Sequence, residues 1–73
     1  MPPELRFTEY ALFRMHQRDI SEEDVRDLFE SRRTQHKARR DGRIEARSTR
    51  LKKTLLVIYR RNGGITVINA MWE

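Results

Sequence analysis

Residues 34–49 decide the fold, and they read Thr-Gln-His-Lys-Ala-Arg-Arg-Asp-Gly-Arg-Ile-Glu-Ala-Arg-Ser-Thr. Asp41-Gly42, at the centre of this stretch, is a strong signal for a two-residue type I′ turn. On either side, small or apolar side chains alternate with charged ones, which is typical of strands. Residues 34–40 and 43–49 are therefore predicted to pair as an antiparallel hairpin.

Alternation along a strand sends successive side chains to opposite faces of a sheet. The small and apolar side chains of the hairpin should face the rest of the protein, so a charged set should lie together on the opposite face. That set consists of Lys37, Arg39, Arg43, Glu45 and Arg47. The pattern leaves His36 and Arg40 unassigned to either face.

A first helix is predicted upstream of the hairpin. Thr8 is a suitable N-cap, and the helix should run to about Arg18 with an apolar stripe at spacings of three and four residues. This stripe consists of Phe7, Ala11, Leu12 and Met15.

A second helix has the clearest local signal in the chain. Ser21 and Asp24 have the spacing of a capping box, in which each side chain bonds to the other residue's backbone N–H. Ile20 and Val25 occupy the two positions of a hydrophobic staple. This helix should run to about Ser31.

Two further strands are predicted downstream. Residues 54–60 are too apolar to alternate, so this strand should be central with both faces covered. Asn62-Gly63 marks a turn, and residues 65–71 form the last strand. The prediction is one α+β domain over residues 1–73, in the order α-α-β-β-β-β, with two helices packed on one face of a four-stranded antiparallel sheet. Because of its two prolines, the segment 1–6 is predicted to be a flexible arm.

Positive charge is concentrated around the hairpin. Residues 31–53 hold ten basic and two acidic side chains, a net charge of +8 in a chain whose formal net charge is +5. Such a local field attracts polyanions, so RNA, DNA or an acidic protein is the expected partner. A domain of this length buries only roughly 60% of its unfolded surface, and a homodimer or a protein partner would add to so small a core.

The composition excludes several classes of protein. The absence of cysteine rules out disulfides, thiol catalysis and cysteine metal sites. Two separated histidines and scattered acids lack ligand spacing, so no metal or other cofactor is predicted. The longest apolar run, residues 55–59, is too short to span a bilayer, and the first residues lack the regions of a signal peptide. The sequence predicts a cytoplasmic protein without a membrane partner.

Some residues could support metal-free cleavage of RNA, which requires a base for the 2′-hydroxyl and an acid for the leaving oxygen. Glu45 is a candidate base, with a plain salt bridge to the neighbouring arginines as the alternative. His36 is a candidate acid or base, with an exposed strand histidine as the alternative. Tyr10 is a candidate weak acid.

Cations are also needed to stabilise the charge that builds up on the phosphate. Arg14 and Arg18 share one face of the first helix, where they could clamp a phosphate together or pair with acids of the second helix. Arg60 and Arg61 are candidates beside the second turn, where a solvated loop tip is the alternative. Lys37, Arg39, Arg43 and Arg47 complete the candidate nucleic-acid contacts.

Residues 10–25, Tyr-Ala-Leu-Phe-Arg-Met-His-Gln-Arg-Asp-Ile-Ser-Glu-Glu-Asp-Val, resemble the opening of a family of small bacterial domains. That opening is roughly His-Ala-x-x-Arg-Met-x-x-Arg-x-Ile-Ser-x-x-x-Val. Residues 55–60 and 65–69, Leu-Leu-Val-Ile-Tyr-Arg and Ile-Thr-Val-Ile-Asn, are similar to the family's ending. The family looks related to RelE/BrnT-like toxins, small α+β ribonucleases of toxin–antitoxin pairs.

The resemblance implies RNA bound on an exposed sheet face, metal-free cleavage and neutralisation by an antitoxin. Arg14 and Arg18 match its motif. Tyr10 stands where the family has histidine, and it replaces either a catalytic group or a residue that only anchors the helix. The expected function is a toxin-like RNA-binding domain, with metal-independent endoribonuclease activity as its sharper form. The alternatives are a nucleic-acid-binding module without catalysis and an interaction domain for an acidic protein.

Overall fold

A computed structural model of the protein describes residues 4–73 as two helices and a five-stranded sheet. The elements in chain order are β1 (Leu5–Phe7), α1 (Glu9–Gln17), α2 (Glu22–Glu30), β2 (Gln35–Ala38), β3 (Ile44–Arg50), β4 (Lys53–Arg61) and β5 (Ile65–Trp72). The strand order in the sheet is β1-β5-β4-β3-β2.

The predicted four-stranded antiparallel sheet is wrong, because β1 adds a fifth strand that runs parallel to β5. Ile65 donates its backbone N–H to the Glu4 carbonyl at 2.9 Å, and Thr8 donates to the Val67 carbonyl at 3.1 Å. The predicted arm at residues 1–6 is correspondingly wrong for its last residues, while residues 1–3 lie outside the described part of the chain. Three residues are too few for alternation to reveal a strand, and the pairing partner is distant in sequence.

Both predicted helix starts are confirmed. The Thr8 hydroxyl accepts a hydrogen bond from the Ala11 backbone N–H at 3.0 Å. Ser21 and Asp24 form the reciprocal capping box, with hydrogen bonds of 2.9 and 3.0 Å. Such caps satisfy backbone donors that have no partner within the helix.

The predicted apolar stripe of α1 is only half right. Ala11 and Met15 are buried against the sheet, whereas Phe7 belongs to β1 and Leu12 is 40% exposed. Phe7 is part of a strand and not of the helix because it pairs with Val67 of β5.

The first hairpin has a three-residue loop and not the predicted type I′ turn. Arg39 donates its N–H to the Arg43 carbonyl at 2.7 Å, which leaves residues 40–42 as the loop. Gly42 has a φ of +86°, but Asp41 does not have the positive φ that a type I′ turn would require. The extra residue sets the register Lys37↔Glu45 and His36↔Ala46.

A type I′ turn occurs instead between β3 and β4. Leu51 and Lys52 have φ values of 50° and 68°, and the flanking Arg50 and Lys53 pair with each other. Positive φ is unfavourable for residues other than glycine, asparagine and aspartate. Leu51 is also 97% exposed at the tip.

Strand β4 lies at the centre of the sheet and is buried from Leu55 to Tyr59, as predicted. Its side chains at Leu55, Val57 and Tyr59 join the core beneath the helices. Leu56 and Ile58 are also buried, but by alternation they point to the helix-free face. Among residues 4–73, no helix is long and apolar enough to cross a membrane.

Candidate nucleic-acid interface

The helix-free face of the sheet collects most of the predicted cations. Lys37 pairs with Glu45 across β2 and β3, and Glu45 lies opposite Ile58, which points away from the core. The same register places further basic side chains on this side, and we call the surface the basic face. Its members are Arg6, Lys37, Arg39, Arg43, Arg47 and Arg60. The predicted grouping of the hairpin cations is therefore confirmed.

Four of these arginines form a row across the sheet, which we call the arginine row. The backbone N–H of Arg39 donates to the carbonyl of Arg43. Ile44 pairs with Tyr59 in the antiparallel β3–β4 ladder, so the next position along places Arg43 beside Arg60. Arg60 pairs with Thr66, and Thr66 pairs with Arg6 of β1. Neighbouring strands lie about 4.8 Å apart, so the row spans about 19 Å at one end of the sheet.

The sequence did not reveal Arg6 as part of this site, because the residue fell in the predicted arm. Its place depends on the parallel pairing of β1 with β5. Leu5 and Phe7 pack against the core, so Arg6 between them points to the opposite face. Because β1 has only three residues, no local pattern marked Arg6 as a member of this face.

Glu45 is the central acid of the basic face. It accepts a hydrogen bond from Arg39 and lies 2.8 Å from an Arg47 guanidinium nitrogen, and its side chain is only 14% exposed. The hydrogen bond from Arg39 lowers the pKa of the Glu45 carboxyl below its ordinary value, and the bond from Arg47 acts in the same direction. Glu45 therefore forms the salt bridges to neighbouring arginines that the sequence offered as the alternative to a catalytic base.

Arg47 also bonds to Glu73, with 2.8 Å between Nε and a carboxylate oxygen. This hydrogen bond raises the pKa of the Arg47 guanidinium, and Glu45 adds to the effect. Sequence patterns did not indicate Glu73, because it is distant from Arg47 along the chain and follows the last strand.

Arg43 is anchored through the hairpin loop. Its backbone N–H donates to Asp41 at 3.0 Å, and this bond lowers the pKa of the Asp41 carboxyl. The Arg43 guanidinium lies 3.7 Å from the other Asp41 oxygen, which is an ion pair without a hydrogen bond. Lys37 and Arg60 have no carboxylate within 4.0 Å among residues 4–73.

The basic face has an apolar floor. Leu56 lies opposite Arg47 and Met71, and Ile58 lies opposite Glu45 and Asn69. No helix of the described residues 4–73 covers this face, yet Leu56 and Ile58 are buried. The methylene stem of an arginine can pack on apolar surface while its guanidinium stays in water, so we expect Arg47 to cover Leu56. Arg47 therefore has a packing role as well as a charge.

His36 lies on the other face. It pairs with Ala46, which belongs to the core beneath the helices. Its Nδ1 atom is 2.8 Å from the hydroxyl of Tyr59, and both rings lie beside Phe29. The structure thus separates His36 from Glu45 by the thickness of the sheet.

Tyr10 is also remote from Glu45. It is 51% exposed on α1, and its hydroxyl accepts a hydrogen bond from Arg14 at 3.0 Å. The Arg14 guanidinium lies 5.3 Å from the Tyr10 ring centre. The three candidate proton-transfer residues are therefore not brought together among the described contacts.

Arg18 has a structural partner, although not the predicted acids of α2. Its guanidinium donates to Asn69 at 3.1 Å and to the Ala70 carbonyl at 2.8 Å. Its own carbonyl accepts a bond from the Trp72 indole at 2.8 Å. Arg14 and Arg18 therefore do not form a common phosphate clamp.

Arg60 and Arg61 lie on opposite faces. Arg61 pairs with Ile65, whose side chain is buried in the core, so Arg61 lies on the helix side at the end of β4. Only Arg60 belongs to the arginine row.

No group of three or more potential metal ligands occurs within the described range 4–73. Comparisons with protein-family models, curated proteins and solved structures find no match to this chain. The resemblance to RelE/BrnT-like toxins therefore stays a prediction.

Proposed function

We propose that the basic face binds the phosphate backbone of RNA and holds the strand without cutting it. The arginine row is the observation that carries this proposal. Like charges directly opposite each other destabilise a pair of strands. Here Arg39 and Arg43, which flank the first hairpin loop, lie beside Arg60 of β4. A polyanion along the row would offset the repulsion that remains after their ion pairs with Glu45 and Asp41.

The composition of the face supports recognition of phosphates more than of bases. The register brings arginine, lysine, glutamate and aliphatic side chains to the basic face, and none of the exposed aromatic residues within 4–73 lies on it. Base stacking on aromatic rings is a common means of holding single strands. Phosphate contacts carry no direct sequence information, so binding should tolerate many sequences.

The separation of His36 from Glu45 supports binding without cleavage. Acid and base must both lie within hydrogen-bond reach of one scissile phosphate. Glu45 is held by Arg39 and Arg47 on the basic face, whereas His36 bonds to Tyr59 on the helix side. A toxin-like ribonuclease would need other catalytic groups or another arrangement of these.

Fluorescence anisotropy with a short single-stranded RNA of mixed sequence tests the proposal. With about three phosphates contacted, log K should fall with log salt at a slope of about −2. Arg60→Ala should weaken binding at low salt and make the slope shallower by about 0.7. Arg61→Ala is the matched control, since it removes an exposed arginine of the same strand from the opposite face.

A flat salt response would contradict the proposal, and so would equal losses in the Arg60 and Arg61 variants. Tighter binding of an acidic protein than of RNA at equal salt would favour the interaction-domain alternative. Incubation of the wild-type protein with RNA and EDTA tests cleavage separately. Cleavage by the wild-type protein would overturn binding without cleavage. Fragments lost in His36→Ala or Glu45→Gln would then assign that residue a role, and fragments that persist in both would leave neither residue in the mechanism.

A further inference from the structure

The two edges of the sheet differ in how their backbone groups are covered. At one edge β1 is only three residues long, and beyond its end Arg18 donates to the free Ala70 carbonyl of β5. Short edge strands and covering side chains are common protection against unwanted strand pairing. Arg18 therefore covers part of that edge at Ala70.

The other edge, β2, is open. All four residues from Gln35 to Ala38 are exposed. Arg39 donates to Arg43 of the neighbouring chain segment, and hydrogen-bonded pairs alternate with non-bonded pairs in an antiparallel ladder. The backbone N–H and C=O groups of His36 and Ala38 therefore point away from β3, and no group of residues 4–73 bonds to them.

The charge along this edge selects the kind of strand that can pair with it. Residues 31–40 include five cations and no acid. The cations are Arg32, Arg33, Lys37, Arg39 and Arg40. Two copies of the protein joined edge to edge through β2 would bring these cations together, and charged side chains of this kind prevent self-pairing. An acidic strand would instead gain both backbone hydrogen bonds and opposite charge.

We propose that the β2 edge binds an extended acidic segment of another protein by strand addition, so that the sheet gains a sixth strand. Strand addition takes its affinity from main-chain hydrogen bonds and its specificity from the side chains beside the edge. This site differs from the arginine row in using the outward backbone groups of β2, although Arg39 belongs to both, and it does not depend on RNA binding. Because Lys37 and Arg39 border both surfaces, an acidic strand on the edge would also lower the positive charge available to RNA.

A capped peptide of alternating valine and glutamate is a suitable probe, with the valine–lysine peptide as its control. Ala38→Pro removes one outward N–H without removing a bond to β3, and proline is tolerated at such edge positions. The variant should bind the acidic peptide about tenfold more weakly, as expected for a lost hydrogen bond and a blocked edge. Ala38→Ser keeps the N–H and should bind normally. RNA binding should be unchanged in both variants, because no charge is altered.

A second measurement does not depend on a variant that folds. N-methylation of the peptide on its edge-facing amides should weaken binding to the wild-type protein about tenfold. Amide hydrogen exchange at His36 and Ala38 should slow when the unmodified peptide is bound. Equal affinity for the methylated and unmodified peptides, protection confined to other residues, or no binding of the acidic peptide would each overturn the proposal.

Discussion

The Nδ1 atom of His36 lies 2.8 Å from the hydroxyl of Tyr59, and this bond joins an exposed edge strand to the core. Tyr59 is only 1% exposed, so its hydroxyl depends on a protein partner. Phe29 meets the Tyr59 ring edge-on with 4.9 Å between ring centres, which leaves the hydroxyl directed toward β2. His36 therefore has a structural role in satisfying a buried polar group.

The His36–Tyr59 bond predicts a coupling in stability. His36→Ala leaves the Tyr59 hydroxyl unpaired and should lower the free energy of unfolding by about 1–3 kcal/mol. In a Tyr59→Phe background the same change should cost much less, because no hydroxyl remains to be satisfied. Urea denaturation of the four proteins in the cycle measures the coupling. Strict additivity would show that the bond contributes nothing.

The ion pairs of Glu45 predict that part of the free energy of unfolding is lost at acidic pH. Its pKa in the folded protein is below the ordinary value of 4.5 because Arg39 and Arg47 hydrogen-bond its carboxylate. The stabilisation is therefore present above pH 4.5 and is lost as the pH falls through the lower folded-state pKa. The Tm of the wild type should drop more steeply on acidification than that of Glu45→Gln.

Glu30→Gln is the control for this comparison, since Glu30 forms no ion pair among residues 4–73. Its Tm should follow the wild-type curve. Parallel curves for Glu45→Gln and the wild type would mean that the bonds to Arg39 and Arg47 do not stabilise the fold.

The turn at Leu51 and Lys52 predicts a stabilising substitution. Both residues have positive φ, which costs about 1–2 kcal/mol for an ordinary L-residue. Leu51→Asn/Lys52→Gly supplies the favoured type I′ pair and should raise the free energy of unfolding by about 1–2 kcal/mol. Thermal or urea denaturation measures the gain.

The same Asn-Gly pair placed in the first hairpin is the matched control. Arg40 and Asp41 do not have positive φ, and Asp41 accepts the Arg43 N–H. Arg40→Asn/Asp41→Gly should therefore give no gain. A gain of similar size there would show that the effect does not come from the turn geometry.

The contacts of Arg18 predict that its substitution lowers the stability of the fold and exposes part of the β5 edge. Arg18→Ala removes the bonds to Asn69 and Ala70 and should lower the free energy of unfolding by about 1–3 kcal/mol. Arg14→Ala removes only bonds to the exposed side chains of Tyr10 and Gln17 and should cost less than about 1 kcal/mol. Light scattering should detect more self-association of the Arg18 variant, because the β5 edge is uncovered. Equal stability and solubility of the two variants would contradict this role.

Sequence patterns predicted the elements that depend on local chemistry. The caps at Thr8 and Ser21 and the buried run of β4 follow from neighbouring residues, and all three are confirmed. Strand β1 was missed because its only evidence as a strand is a distant partner, Ile65 to Val67. Local signals cannot report a pairing between the two ends of a sequence.

In the candidate site too, the features that depend on neighbouring residues could be predicted, whereas those that depend on the pairing between strands could not. Alternation within β3 groups Arg43 with Arg47, but the face of Lys37 relative to them depends on the loop, since a two-residue turn would place Lys37 opposite Ala46 and not Glu45. The face of His36 depends on the same extra loop residue, and the face of Arg61 depends on the register between β4 and β5. The contact of Glu73 with Arg47 required the full sheet.

The parallel pairing of β1 with β5 also has a kinetic consequence. Leu5 and Ile65 meet across about 60 positions of the chain, and the entropy of closing such a loop must be lost before the contact forms. The hairpins of β2 to β5 close over far fewer residues, so we expect them to assemble in the transition state and β1 to join afterwards. Weakening β1, for example with Phe7→Ala, should then accelerate unfolding while leaving the refolding rate nearly unchanged.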